Sequence, residues 1–368
     1  MIIGVPKEIK DNEYRVGMVP SGVRAAVEAG HPVLIEQGAG IGSSITDAEY
    51  AAAGAEIVER AEEVYSRAGI VIKVKEPLAA EYPFLRDGLV VFTFFHLAAH
   101  PALAEELLKR GTTAIAYETV QTEGGGLPIL SPMSEVAGRL SVQAGAHFLM
   151  KAYGGRGVLL SGVPGVECGV VAIAGAGSVG QNAARIAVGL GAEVIALDTR
   201  TESLRRMEEL FGARVKTLSS NAHNIEYALS RCDIFVGAVH MPGARTPRLV
   251  TRNMLKSMKK GSVIVDVSVD QGGCVETIRP TTHTEPVFEV DGILHYGVAN
   301  MPGAVPRTST FALTNAALPY LLLLASKGVK GAARADRSLK TGINILNGEV
   351  VHPCVAEALS MRCAQLDL

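Results

Sequence analysis

Residues 170–181 read Val-Val-Ala-Ile-Ala-Gly-Ala-Gly-Ser-Val-Gly-Gln, and a helix-compatible run then leads to Val194-Ile195-Ala196-Leu197-Asp198. An apolar strand, Val170 to Ala174, enters Gly175-x-Gly177-x-x-Gly180. A helix follows from Gln181 to Leu190, and a second apolar strand ends in an acid. Each part has a physical role. Gly175 permits a tight turn, Gly177 lets the backbone approach a pyrophosphate, and Gly180 lets the helix pack close to the strand. The helix start offers unpaired N–H groups to phosphate oxygens. A bare glycine pattern is weak in a chain with 40 glycines. Strand before, helix after and acid at the next strand end make it specific, and the reading is a dinucleotide site.

Asp198 bears on which dinucleotide. A carboxylate there accepts hydrogen bonds from ribose hydroxyls and repels a 2′-phosphate, which favours NAD over NADP. Arg200 and Arg205 lie nearby and are read as solvated residues at the start of the next helix.

The bulk numbers narrow the class. A chain of 368 residues is long for one core and implies two domains. Its 35 basic and 37 acidic residues leave a net charge of −2, with no long basic run to attract nucleic acid. Cys168, Cys232, Cys274, Cys354 and Cys363 are scattered without CxxC spacing, which points to a reducing compartment and away from zinc. The opening Met1-Ile2-Ile3-Gly4-Val5-Pro6-Lys7-Glu8 does not read as a signal peptide. The longest apolar run, Phe311–Ala325, contains Thr314, Asn315 and Pro319 and is shorter than a membrane span. A soluble cytoplasmic protein without membrane partners is expected.

Apolar strands alternate with amphipathic helices, the pattern of α/β proteins with parallel sheets. Val33–Ile35, Ile70–Val74, Leu89–Phe95 and Ala114–Tyr117 read as strands of a first sheet. Ser21–Ala29, Asp47–Ala53 and Pro101–Lys109 read as its helices. Thr122–Pro132 and Gly154–Gly169 read as glycine-rich crossings suited to hinges. Between them Ser134–Lys151 is helical, with Ser134 as N-cap. A second sheet takes Val170–Ala174, Val194–Leu197, Ile234–Gly237, Ser262–Val265 and Leu294–Val298. A helix over Ser309–Ala325 follows, and the tail returns to the first domain. The expected architecture is two Rossmann-like parallel-sheet domains linked by long helices, with a cleft between them. Residues 1–130 with 305–368 would form the substrate domain, and 131–304 the NAD-binding domain.

In open α/β sheets ligands bind beyond the carboxyl ends of strands. Polar residues there are Lys75, His96, Asp270 and Asn300. Together they suit hydride transfer coupled to proton transfer. Each also has a plainer reading. Lys75 is where a strand stops in charge, His96 is a packing or capping histidine, and Asp270 starts a turn. His96 and His100 stand four apart, but no third metal ligand is near.

Several blocks in order resemble one family. These are Met1–Lys10 with Glu13-Tyr14-Arg15-Val16, Lys73-Val74-Lys75-Glu76-Pro77, Phe94-Phe95-His96-Leu97-Ala98 and Pro132–Arg139. The glycine turn, Asp266–Gly273 and Val298-Ala299-Asn300-Met301-Pro302-Gly303 complete the series. The chain resembles the alanine dehydrogenases, to which transhydrogenase α-subunits are related, over essentially its whole length. The resemblance implies NAD-linked oxidative deamination of L-alanine to pyruvate and ammonium, and the reverse amination, in a homohexamer. It implies that Arg15 and Lys75 bind substrate, with Asn300 beside them, and that His96 and Asp270 handle protons. Cofactor contacts would come from Ser134, Gly175, Gly177, Ser178, Val179, Gly180, Asp198, Ser220, Val239, His240 and Arg279. The strand ends Val267, Ser268, Val269, Asp270 and Val298, Ala299, Asn300, Met301 would add others. Two departures stand out. Some relatives place an acid and a histidine, assigned to a divalent metal, on the helix after the second domain. Here Leu321–Leu324 and Lys327 offer no such pair, so no metal is expected. Ser203 stands where relatives often carry a basic residue near the ribose. Alternatives are the NAD-binding subunit of a proton-translocating transhydrogenase, a dehydrogenase for another small 2-amino acid, and a non-catalytic NAD-binding protein.

Overall fold

The computed structural model describes residues 1–239 and 246–367. The chain forms two compact units, residues 1–133 with 305–368 and residues 134–304. In the first unit the strands are β1 (Ile3–Val5), β2 (Val33–Glu36), β3 (Glu56–Val58), β4 (Ile70–Ile72), β5 (Val90–Thr93) and β6 (Thr113–Ala116). The second unit holds β7 (Val170–Ala174), β8 (Glu193–Asp198), β9 (Val215–Ser219), β10 (Ile234–Gly237), β11 (Val263–Asp266), β12 (Val287–Val290) and β13 (Ile293–Tyr296). The chain then adds β14 (Ile343–Leu346) and β15 (Glu349–Val350) to the first sheet.

Both sheets have the same winding. The first runs β15-β14-β6-β5-β4-β1-β2-β3, and the second β12-β13-β11-β10-β7-β8-β9. Without the antiparallel edge strands, each is the doubly wound order 3-2-1-4-5-6. The order reverses beside β1 in one sheet and beside β7 in the other. In the first sheet the loops leaving β1 and β4, and in the second those leaving β7 and β10, therefore flank that sheet's own crevice where such folds take ligands.

Burial explains the central strands. Every residue of β4, β5, β6, β7, β10, β11 and β13 is buried, as parallel strands covered on both faces must be. Around β7, one apolar layer contains Val171, Ile173, Ala183, Ala187 and Val194. The opposite layer contains Ala172, Ile195, Ile225, Leu229 and Phe235. Strands that the apolar runs do not announce are short or lie toward an edge: β1 has three residues, and β3 and β9 are only partly buried. In the first sheet β4, β5 and β6 also stop earlier than their apolar runs. Lys73 leaves β4 fully buried, and its ammonium lies 3.2 Å from Glu8 and 2.8 Å from Glu81. Burial alone would lower the Lys73 pKa, but the two carboxylates outweigh it and raise it.

The linking helix and the helix after the second unit depart from expectation. The linking helix is Ser131–Leu149, so Ser134 lies within its first turn and is not the N-cap. Pro132 fits that first turn, where no backbone N–H is needed. The later helix spans Pro306–Ala335 and contains Pro319, with a break at Gly328, φ 65° and ψ 174°. By length and composition it is apolar enough to cross a membrane, contrary to the shorter run read from sequence. Leu313, Ala317, Leu321 and Leu324 are buried, as in a core helix, and the helix packs on Pro20–Glu28 of its own unit.

Candidate active site

The first unit gathers its charged groups at the carboxyl ends of β1, β4 and β5, which are neighbours in the sheet. Arg15 lies on the segment after β1 and is 2% exposed. Its Nε and Nη2 donate to Glu13 at 2.6 and 2.5 Å, and Nη1 lies 3.3 Å from the Met133 sulfur. Two guanidinium nitrogens of Arg15 thus already grip Glu13. Lys75 follows β4. Its backbone N–H points to Glu8 at 3.3 Å, and its carbonyl accepts from the Thr93 hydroxyl at 3.0 Å. The Lys75 ammonium has no ion pair among the described residues. Burial, with Arg15 and Lys10 nearby, holds its pKa below the ordinary lysine value.

His96 follows β5 in the left-handed region, φ 48° and ψ 44°. Such a conformation is costly in a non-glycine residue and is found disproportionately at functional sites. Glu118, just past β6, stabilises it. The His96 N–H donates to Glu118 at 2.6 Å and the Phe95 N–H at 3.3 Å. The half-exposed imidazole lies parallel to Phe94, ring centres 5.9 Å apart, with Nδ1 3.9 Å from Glu118. His100 faces Glu76 instead, at 3.6 Å, and Lys10 pairs with the same carboxylate. No group of three or more His, Cys, Asp or Glu side chains suited to a metal occurs among the described residues.

The second unit carries the glycine turn. Its helix is Ser178–Gly189, starting earlier than the apolar periodicity suggested, with Gly177 as N-cap and no side-chain cap. The three glycines differ in what they avoid. A Cβ on Gly180 would stand 1.8 Å from the Gly175 carbonyl oxygen. One on Gly175, at φ 104°, would stand 2.5 Å from the Ala238 oxygen. One on Gly177 would meet no atom of the described residues within 4 Å. Gly175 and Gly180 are demanded by the fold itself, whereas among the described residues nothing fills the space a side chain at Gly177 would take.

Asp198 ends β8, largely buried, and accepts the Ala176 and Arg200 N–H groups at 2.8 Å each. An ionised carboxylate has about four acceptor sites, so two such bonds leave capacity for ribose hydroxyls. Arg200 is exposed, its Nε 3.7 Å from Asp198. Ser220, just past β9, donates its N–H to the Asp198 carbonyl at 2.9 Å. Val239 follows β10, and its carbonyl accepts from the Ser268 hydroxyl at 2.7 Å. His240 lies outside the described residues. Arg279 is exposed and stacks its guanidinium over Phe288 at 4.3 Å. Val267 is half-buried. Val269, Val298 and Met301 are buried in the core layers, so their side chains serve packing. Asp270 is exposed on a turn past β11, and the Asn300 N–H points to it at 3.4 Å. Ala299 and Asn300 are half-buried, and Asn300 shares the left-handed conformation of His96, φ 58°.

Glu8, Glu13 and Glu118, absent from the sequence-based set, are all engaged with predicted site residues. The strand-end rule applied to β1 and β6 would have reached Glu8 and Glu118. Glu13 had no such signal, because its role depends on the path of a loop.

Twin doubly wound sheets, with a glycine turn over an uncapped helix start and an acid ending the next strand, define a Rossmann-type oxidoreductase. The chain belongs to the alanine dehydrogenase/PNT family. The family's N-terminal domain model matches residues 4–137 and its C-terminal domain model residues 141–353. The latter runs past Ala304, where the second unit ends. Alanine dehydrogenase of Methanococcus maripaludis is 55% identical over 97% of this chain and 96% of its own length. Its counterpart from Mycolicibacterium smegmatis is 52% identical, covering 98% and 97%. A solved L-alanine dehydrogenase superposes with a TM-score of 0.95 at 54% identity, covering 98% of this chain and 99% of the other. A transhydrogenase from Sinorhizobium meliloti superposes with a TM-score of 0.82 at 27% identity, over 96% and 99%.

Proposed function

We propose that this chain catalyses the reversible oxidative deamination of L-alanine to pyruvate and ammonium with NAD. The observation that carries the reading is the gathering of Arg15, Lys75 and His96 at the carboxyl ends of three neighbouring strands. Their chain is 54% identical to a solved L-alanine dehydrogenase. Gly177 supports a bound pyrophosphate, since nothing among the described residues requires a missing side chain there. NAD would be held by the N–H groups of Ser178, Val179 and Gly180 and by Asp198, with Ser134, Ser220, Val239, Arg279 and the backbone of 267–270 and 298–301 around it. When bound, it supplies an acceptor for the hydride on the substrate Cα.

The chain's own groups do the rest. The Lys75 ammonium holds the alanine carboxylate or polarises the pyruvate carbonyl, and Arg15 meets the carboxylate by its Nη1 side. The alanine ammonium first gives up a proton, loss of hydride from the neutral amine then leaves an iminium ion, and water must add to it. His96 takes a proton from that water, returns it to the amine nitrogen, and takes the hydroxyl proton as the carbinolamine collapses to pyruvate and ammonia, work suited to an imidazole. Asp270 holds the substrate nitrogen or the water, and Asn300 supports it. The reading includes a cytoplasmic homohexamer without resident metal.

A screen of NADH formation across small L-amino acids, with NADP as control, tests this. L-alanine with NAD is expected to give the highest kcat/KM. Absence of alanine-dependent NADH, or hydride transfer from NADPH to NAD instead, overturns the reading. A better substrate among the other amino acids corrects the choice of substrate.

A pH prediction follows from Lys75. Its pKa is lowered, so its positive charge is lost on raising pH earlier than in an ordinary lysine. The KM for pyruvate is expected to stay flat near neutral pH and to rise through the alkaline range below the usual lysine pKa. Steady-state kinetics of Lys75→Met should show a high KM without that rise. A wild-type KM that stays level up to the ordinary lysine pKa contradicts the assignment.

A further inference from the structure

The loop that carries Asp270 is closed by a single buried carboxylate. Asp266 is the last residue of β11 and is fully buried. One oxygen accepts the Ser268 N–H at 2.9 Å. The other accepts the Cys274 N–H at 2.8 Å and the Val275 N–H at 3.2 Å. These donors come from both ends of residues 266–275, so the carboxylate ties the loop into a ring. Within it Val269–Gln271 form one tight turn, with Asp270 at the apex, and Gly272 and Gly273 take φ of 95° and 75°.

The space around Asp266 is shaped for it. A Cβ on Gly273 would stand 2.8 Å from one Asp266 oxygen, and one on Gly237 3.0 Å from the other. Two glycines from different segments thus leave room for the same carboxylate. The chemistry also demands an acid. Three backbone N–H groups converge on two oxygens. An asparagine would present one oxygen and set its NH₂ against N–H donors, and an apolar residue would leave buried donors unpaired.

We propose that Asp266 is a positioning residue that holds Asp270 in its working place by closing the loop on which Asp270 rides. The inference rests on the role assigned to Asp270 above and deepens it. Asp266 touches neither substrate nor cofactor. It acts through the backbone, and displacement of a reacting group by about 1 Å costs on the order of 100-fold in rate.

The test is a double-mutant cycle in alanine oxidation. Asp266→Asn is expected to lower kcat by about tenfold to 100-fold, with the Kd for NAD, read by fluorescence titration, changed less than threefold. Asp270→Asn lowers kcat further. The double variant should be no slower than Asp270→Asn alone, because a displaced group that is already disabled costs nothing more. Multiplying losses, or a lower Tm with unchanged kcat in Asp266→Asn, overturns the inference. If Asp266→Asn does not fold, Gly237→Ala is made in a Cys274→Ala background, where the new methyl meets chiefly Asp266. It should lower kcat relative to Cys274→Ala alone, and equal kcat overturns the proposal. An active Asp270→Asn sinks the parent assignment and this inference with it. An inactive Asp270→Asn beside a normal Asp266→Asn sinks this inference only.

Discussion

His96→Ala is expected to lower kcat for alanine oxidation by roughly 10²–10⁴-fold, the usual worth of a positioned acid–base group, while NAD still binds. The imidazole is what this change removes. The backbone at residue 96 is set by Glu118, which accepts the N–H groups of Phe95 and His96 and does not depend on the ring. The glycine turn belongs to the other unit, so the affinity for NAD should be preserved. The ring is half-exposed, so little core is lost and Tm should move by only a few degrees. Steady-state rates with NAD titration check all three expectations. Normal kcat in a folded variant contradicts the acid–base role. Loss of NAD binding would move His96 to the cofactor side.

Gly180→Ala and Gly177→Ala should fail in different ways. A methyl on Gly180 would stand 1.8 Å from the Gly175 carbonyl oxygen. That atom is backbone in the turn itself, so no side chain can swing away. The helix and β7 must separate, at a cost of about 1–3 kcal/mol or more, and Tm should fall with NAD binding. Gly177→Ala meets no atom of the described residues within 4 Å, so its Tm should match the parent. Its NAD affinity should still fall at least tenfold, because the methyl occupies the approach of the pyrophosphate to the helix start. Thermal melts beside NAD titrations read both. Equal NAD affinity in Gly177→Ala and the parent would count against a pyrophosphate at this turn.

Legibility followed burial. The strands β7, β8, β10 and β11 could be read because both faces are covered, so nearly every side chain is apolar. The half-exposed β9 and the two-residue β15 could not, since their pairing supplies what their composition lacks. Ser134 illustrates a limit of local reading. Ser-Glu resembles a cap, but Ser131-Pro132 starts the helix three residues sooner. The long helix after Ala304 shows the reverse. Its composition passes for a membrane span, and only its buried Leu313, Ala317, Leu321 and Leu324 mark it as core.

By itself the order of residues determined the glycine turn, the acid after the next strand, the α/β alternation and the strand-end positions of Lys75, His96, Asp270 and Asn300. Those are local matters, decided by backbone freedom and by the period of apolar side chains. Tertiary structure alone decided that Arg15 grips Glu13, that Glu118 holds the strained His96 backbone, and that Asp266 closes the loop under Asp270. Each of these depends on which strands become neighbours or how a loop turns back. A carboxylate's partners are chosen by distance in space, for which spacing along the chain carries no code.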